Sequence, residues 1–156
     1  MSKKFIADRT LGKLAKWLRI LGYDCVYWRS DDLAGLLRCA HDDERAMITK
    51  DGKLYRRRGG LQALLVREND PFRQLVEVLR YFCLSIRDDM LFSRCLVCNE
   101  PLHSVSTSDV EGHVPDYVFH THTKFSRCPS CGRFYWLGTH HDHMAAVVEK
   151  LKASLA

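Results

Sequence analysis

The sequence predicts an α/β domain with a parallel sheet flanked by helices, followed by a small zinc-ribbon module. Short apolar runs alternate with amphipathic helical patterns over about the first 85 residues. Strands separated by helices form parallel sheets with right-handed crossovers. The pattern changes near Asp88, and residues 92–138 are rich in Cys, His, Ser, Thr and aromatic side chains, with little periodicity. Two Cys-x-x-Cys pairs lie in that second segment and indicate a module held together by metal.

Four short apolar segments are the predicted strands, and the patterns between them are the predicted helices. The strands cover residues 4–7, 25–28, 46–49 and 61–66. Apolar residues recur at helical spacing over residues 11–21 and 33–40. Gly22 is placed as a helix C-cap, and Pro71 opens a further helix. We expect an α/β domain over residues 1–90, the metal-binding module over 91–145 and a terminal helix over 146–156.

The charge is concentrated in the first domain. Residues 1–90 contain 18 Lys and Arg against 13 Asp and Glu, whereas residues 91–156 contain six of each class. A basic domain favours a polyanionic partner. No signal peptide is visible, and no apolar run approaches the length of a bilayer span. No membrane partner is therefore expected, and the cytoplasm is the expected location.

Four cysteines form the predicted structural zinc site: Cys95, Cys98, Cys128 and Cys131. Two residues between cysteines allow a tight turn to aim both sulfurs at one ion, and two such turns complete a tetrahedral shell. Asn99 and Gly132 follow the two turns, where a left-handed backbone conformation is needed. The 29 residues between the pairs exceed the common 15–20, so an extra hairpin is expected there.

Other residues of this half leave alternatives open. Seven of the eight histidines lie between His103 and His143. They fit a second metal site in a metal-responsive regulator, nucleic-acid contacts, or no function. Residues 134–136 could stack on bases or pack the core of the module. The remaining cysteines lie in apolar patterns and are predicted to be buried thiols: Cys25, Cys39 and Cys83.

Acidic side chains follow the predicted strands of the first domain at the points where the strands end. They are Asp8, Asp31, Asp32, Asp51 and Asp70. The carboxyl ends of parallel strands meet at one edge of the sheet, so these carboxylates could converge on one or two cations. Carboxylate ligands suit Mg²⁺ or Mn²⁺. Asp is also a favoured helix N-cap, and each of these acids could serve in that role.

Basic residues surround this acidic edge and predict a phosphodiester substrate. The candidate nucleic-acid contacts are Arg9, Lys13, Lys50 and Arg57. Cations would hold the nucleic-acid backbone while metal ions activate water and neutralise the leaving oxyanion. For Arg57 and its two neighbouring arginines a solvated loop is the alternative. No Gly-x-Gly-x-x-Gly or Walker-type sequence follows a strand, which argues against dinucleotide or nucleoside-triphosphate binding.

Four segments together resemble a known family. They read FIADRTLGKLAKWLRILGYD, MITKD, FSRCLVCNEPL and CPSCGRFYWLGTH. They resemble the PIN-like ribonuclease domain with an appended zinc ribbon. That arrangement occurs at the C-terminus of Mut-seven-type exonucleases and in stand-alone prokaryotic proteins.

The resemblance implies metal-dependent hydrolysis of RNA by residues 1–90, with a structural zinc ribbon over residues 91–145. It makes Asp8 the first-strand acid and Asp51 the acid closing the Thr-Lys-Asp turn, both as Mg²⁺ or Mn²⁺ ligands. The helix acid maps to Asp31 or Asp32, with Asp32 favoured, and Asp70 is the candidate fourth acid. If Asp70 only caps a helix, one metal is held firmly and a second weakly.

RNA is the implied substrate. The ribbon is the surface where we expect RNA, a protein partner or a second copy of the chain to bind. The alternative is a zinc-ribbon protein that binds RNA without cutting it.

Overall fold

The computed structural model describes residues 2–156, and the chain divides into two compact units. The first ends at Asn99, and the second runs from Glu100 to Ala156. Within the described residues, no helix is both long and apolar enough to cross a membrane.

The first unit contains a four-stranded parallel sheet. Its strands are β1 (Phe5–Ala7), β2 (Cys25–Tyr27), β3 (Ala46–Thr49) and β4 (Ala63–Leu65). The strand order is β2-β1-β3-β4, and each neighbouring pair is parallel. The predicted α/β class and the four predicted strands are therefore confirmed.

Helices follow each strand along the chain. They are α1 (Gly12–Ile20), α2 (Leu33–Asp42), α3 (Gly52–Arg56) and α4 (Pro71–Tyr81). Single 3₁₀ turns lie at Arg9–Leu11, before α1, and at Asp88–Met90, after α4. Helix α3 is not among the expected elements, because five residues are too few to show a helical apolar period.

Apolar side chains pack on both faces of this sheet. On one face, Ile6 and Met47 pack against Leu36 of α2 and Leu54 of α3. On the other face, the Phe5 ring meets the ring of Phe82 edge-on, with 5.1 Å between centroids. Strands β1 and β3 are buried along their whole length. This explains why they read as continuous apolar runs without alternation.

Gly22 ends helix α1 in a left-handed conformation, as its predicted C-cap position requires. Its φ is +91°, its N–H donates to the Arg19 carbonyl at 2.9 Å, and the Tyr23 N–H donates to the Leu18 carbonyl at 2.9 Å. This pair of bonds is a Schellman motif. A Cβ at position 22 would lie 2.8 Å from the Met90 Cβ, which is closer than real Cβ contacts allow.

We therefore expect Gly22→Ala to lower the stability of the protein. The left-handed backbone alone costs a residue with a Cβ about 1–2 kcal/mol, and the clash adds to that cost. Gly60→Ala is the matched control, because a Cβ at position 60 meets nothing within 4 Å. Thermal unfolding would show a clear fall in Tm for Gly22→Ala. Equal Tm values for the two variants would contradict this account.

The second unit contains a three-stranded antiparallel sheet and three helices. The strands are β5 (His103–Val105), β6 (Phe125–Arg127) and β7 (Phe134–Trp136), in the order β5-β6-β7. The helices are α5 (Thr107–Val110), α6 (Asp116–Thr121) and α7 (Thr139–Leu155). A small core forms around Val110, Val114, Val118 and Phe125.

The segment between the cysteine pairs contains two strands that pair antiparallel, β5 and β6, as the expected hairpin requires. Their connection differs from a tight turn, because helices α5 and α6 lie between the two strands. Ser106 and Asp109 form a capping box that begins α5, and Pro115 precedes α6. These local signals favour the start of a helix at both positions.

Two further expectations need correction. Cys25 is buried and Cys39 is half-buried, but Cys83 is exposed, because it follows the end of α4 with a φ of +53°. Burial raises the pKa of the Cys25 thiol to about 12, so this thiol stays protonated in the core. Helix α7 begins at Thr139, seven residues before the predicted start at residue 146, and therefore includes three histidines.

Candidate active site and metal centre

The strand order creates a switch point between β1 and β3. The chain leaves β1 for its outer neighbour β2 and then returns to β3 on the other side of β1. Ligands of open α/β sheets bind in the crevice outside the carboxyl ends of such strands. Asp8 directly follows β1, and Thr49 ends β3, so both lie at this crevice.

Asp8 is buried, with 5% of its surface exposed, and four hydrogen bonds hold its carboxylate in place. Its Oδ1 accepts from the Thr10 N–H at 2.8 Å and from the Thr10 hydroxyl at 2.5 Å. Its Oδ2 accepts from the Lys50 N–H at 3.1 Å and from the Thr49 hydroxyl. The donors come from the segments after β1 and β3, so the carboxylate joins the two strand ends.

Thr49 also connects Asp8 to Asp51. The Thr49 Oγ1 accepts from the Asp51 N–H at 2.9 Å while it donates to Asp8. The Asp51 Oδ1 then caps α3 by accepting from the N–H groups of Lys53 and Leu54 at 2.8 and 3.3 Å. Both cap bonds end on Oδ1, so Oδ2 remains as an acceptor at the exposed edge. Asp8 and Asp51 thus form one connected pair.

We expect Thr49→Val, which keeps the shape of the side chain, to weaken this pair. The substitution removes one donor from buried Asp8 and the acceptor of the Asp51 N–H. An unmet buried polar group costs about 1–3 kcal/mol, so the free energy of unfolding should fall by that amount. Urea unfolding measures it, with exposed Thr123→Val as the control. An unfolding free energy equal to that of the control would show that the Thr49 hydroxyl holds nothing in place.

The other predicted acids lie at the same edge but have their own partners. Asp31 is exposed and forms an ion pair with Arg9. Asp32 caps α2 by accepting from the Gly35 N–H at 2.9 Å, and its Oδ2 lies 3.7 Å from Arg38. No described hydrogen bond joins Asp31 or Asp32 to the pair formed by Asp8 and Asp51.

Asp70 caps α4, where its Oδ2 accepts from the Arg73 N–H at 3.0 Å. Next to it, the Lys50 Nζ donates to the Asn69 Oδ1 at 2.5 Å and to the Glu68 carbonyl at 2.8 Å. The loop before α4 is therefore connected to the end of β3 through a lysine. Asp70 has the geometry of a helix cap.

The acids of this edge have the oxygen ligands that a divalent cation prefers, but no three of the described acids form a group placed to share one ion. Carboxylate oxygens suit Mg²⁺ and Mn²⁺, and Asp51, whose N–H is connected to Asp8 through the Thr49 hydroxyl, has an open oxygen. The four bonds to Asp8 fill the four acceptor positions of a carboxylate. A cation at Asp8 would therefore take the place of a threonine hydroxyl, which can rotate away.

The predicted nucleic-acid contacts lie in the segments that follow β1 and β3 along the chain. Arg9, Lys13 and Arg57 are exposed, and Lys50 is half-buried by its contacts with the loop before α4. Arg57 follows the last residue of α3, and Arg58 lies over the Tyr55 ring at 4.0 Å. The arginine triplet is thus partly helical and partly fixed on an aromatic ring.

The four predicted zinc ligands form one cluster. The sulfur atoms of Cys95, Cys98, Cys128 and Cys131 all lie within 4.8 Å of one another. A tetrahedral zinc with bonds of about 2.3 Å needs sulfurs about 3.8 Å apart, so the cluster could hold a metal such as zinc. Across residues 2–156 it is the only group of three or more His, Cys, Asp or Glu side chains placed to share one ion.

Backbone groups of the two turns point at the sulfurs. The Cys98 N–H donates to the Cys95 Sγ at 3.4 Å, and the Cys131 N–H donates to the Cys128 Sγ at 3.5 Å. Such bonds favour thiolates over thiols. Asn99 and Gly132 follow the turns with φ values of +70° and +77°. The predicted left-handed conformation is confirmed at both positions.

Two aromatic residues of the second unit have structural contacts, as does one of its histidines. Phe134 and Trp136 pack against the small core, which favours the core interpretation over stacking on bases. The His113 ring stacks on Phe134 with 5.3 Å between centroids. His140 and His143 lie exposed in the first turns of α7 and belong to no metal-sized cluster of the described residues.

Sequence reasoning missed several residues that organise these sites. Thr10 and Thr49 stand two residues from an Asp, a spacing typical of Asx and Ser/Thr turns, so this signal was present. The buried Arg19 and the half-buried Asp24 gave no such signal. Burial alone would raise the pKa of Asp24, but hydrogen bonds from Arg45 and Asn99 outweigh it and lower the pKa.

Comparison with protein-family models gives a match to the Mut7-C RNAse domain over residues 3–148. Comparisons with curated proteins and with solved structures give no match.

Proposed function

Because the chain belongs to the Mut7-C RNAse domain family, we propose that it is a metal-dependent ribonuclease. The proposed site is the carboxyl edge of the parallel sheet, at the switch point between β1 and β3. Asp8 and Asp51 would bind Mg²⁺ or Mn²⁺ there, and RNA phosphodiesters would be the substrate.

One observation carries this proposal above all. Asp8 is buried and fully hydrogen-bonded by donors from two different strand ends, so its carboxylate is fixed in one orientation. One of these bonds, from the Thr10 N–H, caps the 3₁₀ turn at Arg9–Leu11, but a cap needs only one or two bonds and Asp8 accepts four. A carboxylate fixed at the switch point is the arrangement that a catalytic cation site requires.

The acids of the edge would have different roles in hydrolysis. A bound divalent cation would activate water and neutralise charge on the leaving oxygen. Asp8 provides a rigid ligand position, and Asp51 provides an open carboxylate oxygen two residues beyond Thr49. Asp32, or Asp31 beside it, would complete the ligand set or orient the attacking water.

The cations at the edge would hold the RNA. Arg9, Lys13 and Arg57 expose positive charge near the carboxylates, where phosphate groups of the backbone would otherwise be repelled. Lys50 would add a charge next to Asp51 if it exchanged its contact with Asn69 for a phosphate oxygen. Asp70, at the other end of this loop, would support a second cation only weakly.

The cysteine cluster would hold a structural zinc ion. Four thiolates leave no open position on the metal, so this centre would take no part in catalysis. The second unit would contribute a surface for RNA, for a protein partner or for a second copy of the chain.

A second candidate function is RNA binding without cleavage. Its support is that Asp32, Asp51 and Asp70 each accept bonds from the first turn of a helix. In that case the acids would be caps, and the basic edge would hold RNA intact.

Cleavage of a labelled single-stranded RNA by the purified full-length chain separates the two functions. The reaction would be run with Mn²⁺, with Mg²⁺ and with EDTA, and binding to the same RNA would be measured in parallel. The ribonuclease proposal predicts cutting with a divalent cation and none with EDTA. Tight binding without cutting under any metal would support the second function.

A further inference from the structure

The first cysteine turn packs against helix α1 through a buried arginine of its own unit. Arg19 is only 6% exposed. Its Nε donates to the Cys25 carbonyl at 2.9 Å, and one terminal nitrogen donates to the carbonyls of Leu96 and Val97 at 2.8 and 3.3 Å. Leu96 and Val97 are the two residues between the cysteines of the turn. The guanidinium therefore lies against the turn that aims two thiolates at the metal.

The charge of a loaded cluster calls for such a cation. Four thiolates and one Zn²⁺ carry a net charge of about −2. Cys95 and Cys128 are fully buried, and an uncompensated buried charge is strongly destabilising. The Arg19 guanidinium is bonded to the carbonyls between Cys95 and Cys98, so its positive charge would offset part of this cost.

A second connection runs from the end of the same turn into the sheet. The Asn99 Oδ1 accepts from the Cys25 N–H at 3.0 Å, and the Asn99 Nδ2 donates to the Asp24 Oδ1 at 2.7 Å. Asp24 forms an ion pair with Arg45 at 2.6 Å, and Arg45 also donates to the Phe5 carbonyl at 3.2 Å. These bonds connect the cysteine turn to the beginnings of β2 and β1.

The second cysteine turn has no equivalent side chain. Gly132 stands where the first turn has Asn99, and its left-handed backbone is the same. The backbone therefore needs no asparagine at this position. Asn99 is instead explained by its bonds to Cys25 and Asp24.

We propose that Arg19 is the counter-charge of the metal-loaded cysteine cluster, and that metal occupancy, acting through Arg19 and Asn99, stabilises strands β1 and β2. Arg19 is a positioning residue for the metal centre. Loss of metal would then loosen one side of the sheet that carries the acidic edge. This role of Arg19 and Asn99 does not depend on whether the chain cleaves RNA.

Zinc affinity, measured by chelator competition on the full chain, tests the role of Arg19. Arg19→Gln keeps a hydrogen-bond donor without the charge, whereas Arg19→Lys keeps the charge. We expect Arg19→Gln to weaken zinc binding by about 10- to 100-fold, the usual effect of losing a partner of metal ligands. Arg19→Lys should lose much less zinc affinity than Arg19→Gln.

Lys16→Gln, which removes an exposed charge from the same helix, is the control and should leave the zinc affinity unchanged. Wild-type affinity in Arg19→Gln, or equal losses in Gln and Lys variants, would overturn the proposal.

Amide hydrogen exchange tests the connection to the sheet without relying on Arg19 variants. Zinc removal from the wild type should increase exchange of the Cys25 amide, which is bonded to Asn99. The Val66 amide, bonded to the Thr49 carbonyl next to the far strand β4, should change little. Zinc-loaded Asn99→Gly, which retains the left-handed backbone, should show the same increase at Cys25. No change at Cys25 on zinc removal, or an equal change at Val66, would overturn the proposed connection.

Discussion

Asp51→Asn is expected to abolish RNA cleavage while leaving the fold intact. Asn caps helices about as well as Asp, so the bonds from Lys53 and Leu54 to the side-chain oxygen can persist. The negative charge that would bind the catalytic cation is lost. A lost metal contact worth several kcal/mol corresponds to a fall of about 10²- to 10³-fold in rate. Single-turnover cleavage and thermal unfolding, measured on the same preparation, check the two halves of this prediction.

The control for this substitution is Asp42→Asn. Asp42 is an exposed aspartate in the last turn of α2, so the chemical change is the same away from the carboxyl edge. It should leave cleavage and Tm unchanged. If Asp51→Asn cleaves RNA as fast as Asp42→Asn, the Asp51 side chain is a helix cap alone.

Cys128→Ser is expected to abolish binding of the proposed zinc ion and to unfold the second unit. Its core around Val110, Val118 and Phe125 is small for a segment of 57 residues. Zinc bound by four cysteines contributes on the order of 10 kcal/mol or more to the folding of such modules. Zinc content by mass spectrometry should fall by about one equivalent per chain. Amide exchange in β6 and β7 should increase to that of an unfolded segment.

Cys83→Ser is the matched control, because Cys83 is exposed and lies outside the cluster. It should retain zinc and amide protection. Protected β6 and β7 amides in a zinc-free Cys128→Ser protein would mean that the small core is sufficient without the metal.

The strands of the sheet could be predicted from the sequence because their side chains are buried and therefore apolar. Strands β1 and β3 are buried on both faces, so they appear as apolar runs that no helix period explains. Gly22 marks the end of α1 because it adopts a positive φ. Pro71 marks the start of α4 because proline suits the first turn of a helix. The cysteine cluster was equally clear, because two Cys-x-x-Cys pairs at this spacing predict four sulfurs placed to share one metal ion.

Shorter elements and tertiary bonds were beyond sequence reasoning. Helix α3 has five residues, and α5 and α6 have four and six, so none repeats an apolar period often enough to be recognised. The role proposed for Arg19 rests on hydrogen bonds to Leu96 and Val97, which are 77 and 78 positions away along the chain. A periodic pattern contains no information about such a pairing.

The acids of the sheet edge show a different limit. Asp32, Asp51 and Asp70 do cap helices, and a cap and a metal ligand need the same residue at the same end of a strand. Sequence therefore left both interpretations open for each of them. Asp8 likewise caps the 3₁₀ turn through the Thr10 N–H, but it is also buried and accepts three further hydrogen bonds that were not visible in the sequence.

The most direct test of the central claim is manganese-dependent cleavage of a labelled single-stranded RNA by Asp8→Asn, beside the wild type and Asp42→Asn. Circular dichroism would first establish that the variant remains folded. This check is needed because the side-chain NH₂ group of Asn would face N–H or O–H donors that now donate to the Asp8 carboxylate. The proposed function predicts that the wild type and Asp42→Asn cut the RNA and that Asp8→Asn does not. Cleavage by folded Asp8→Asn at the wild-type rate would contradict a catalytic cation site at this edge.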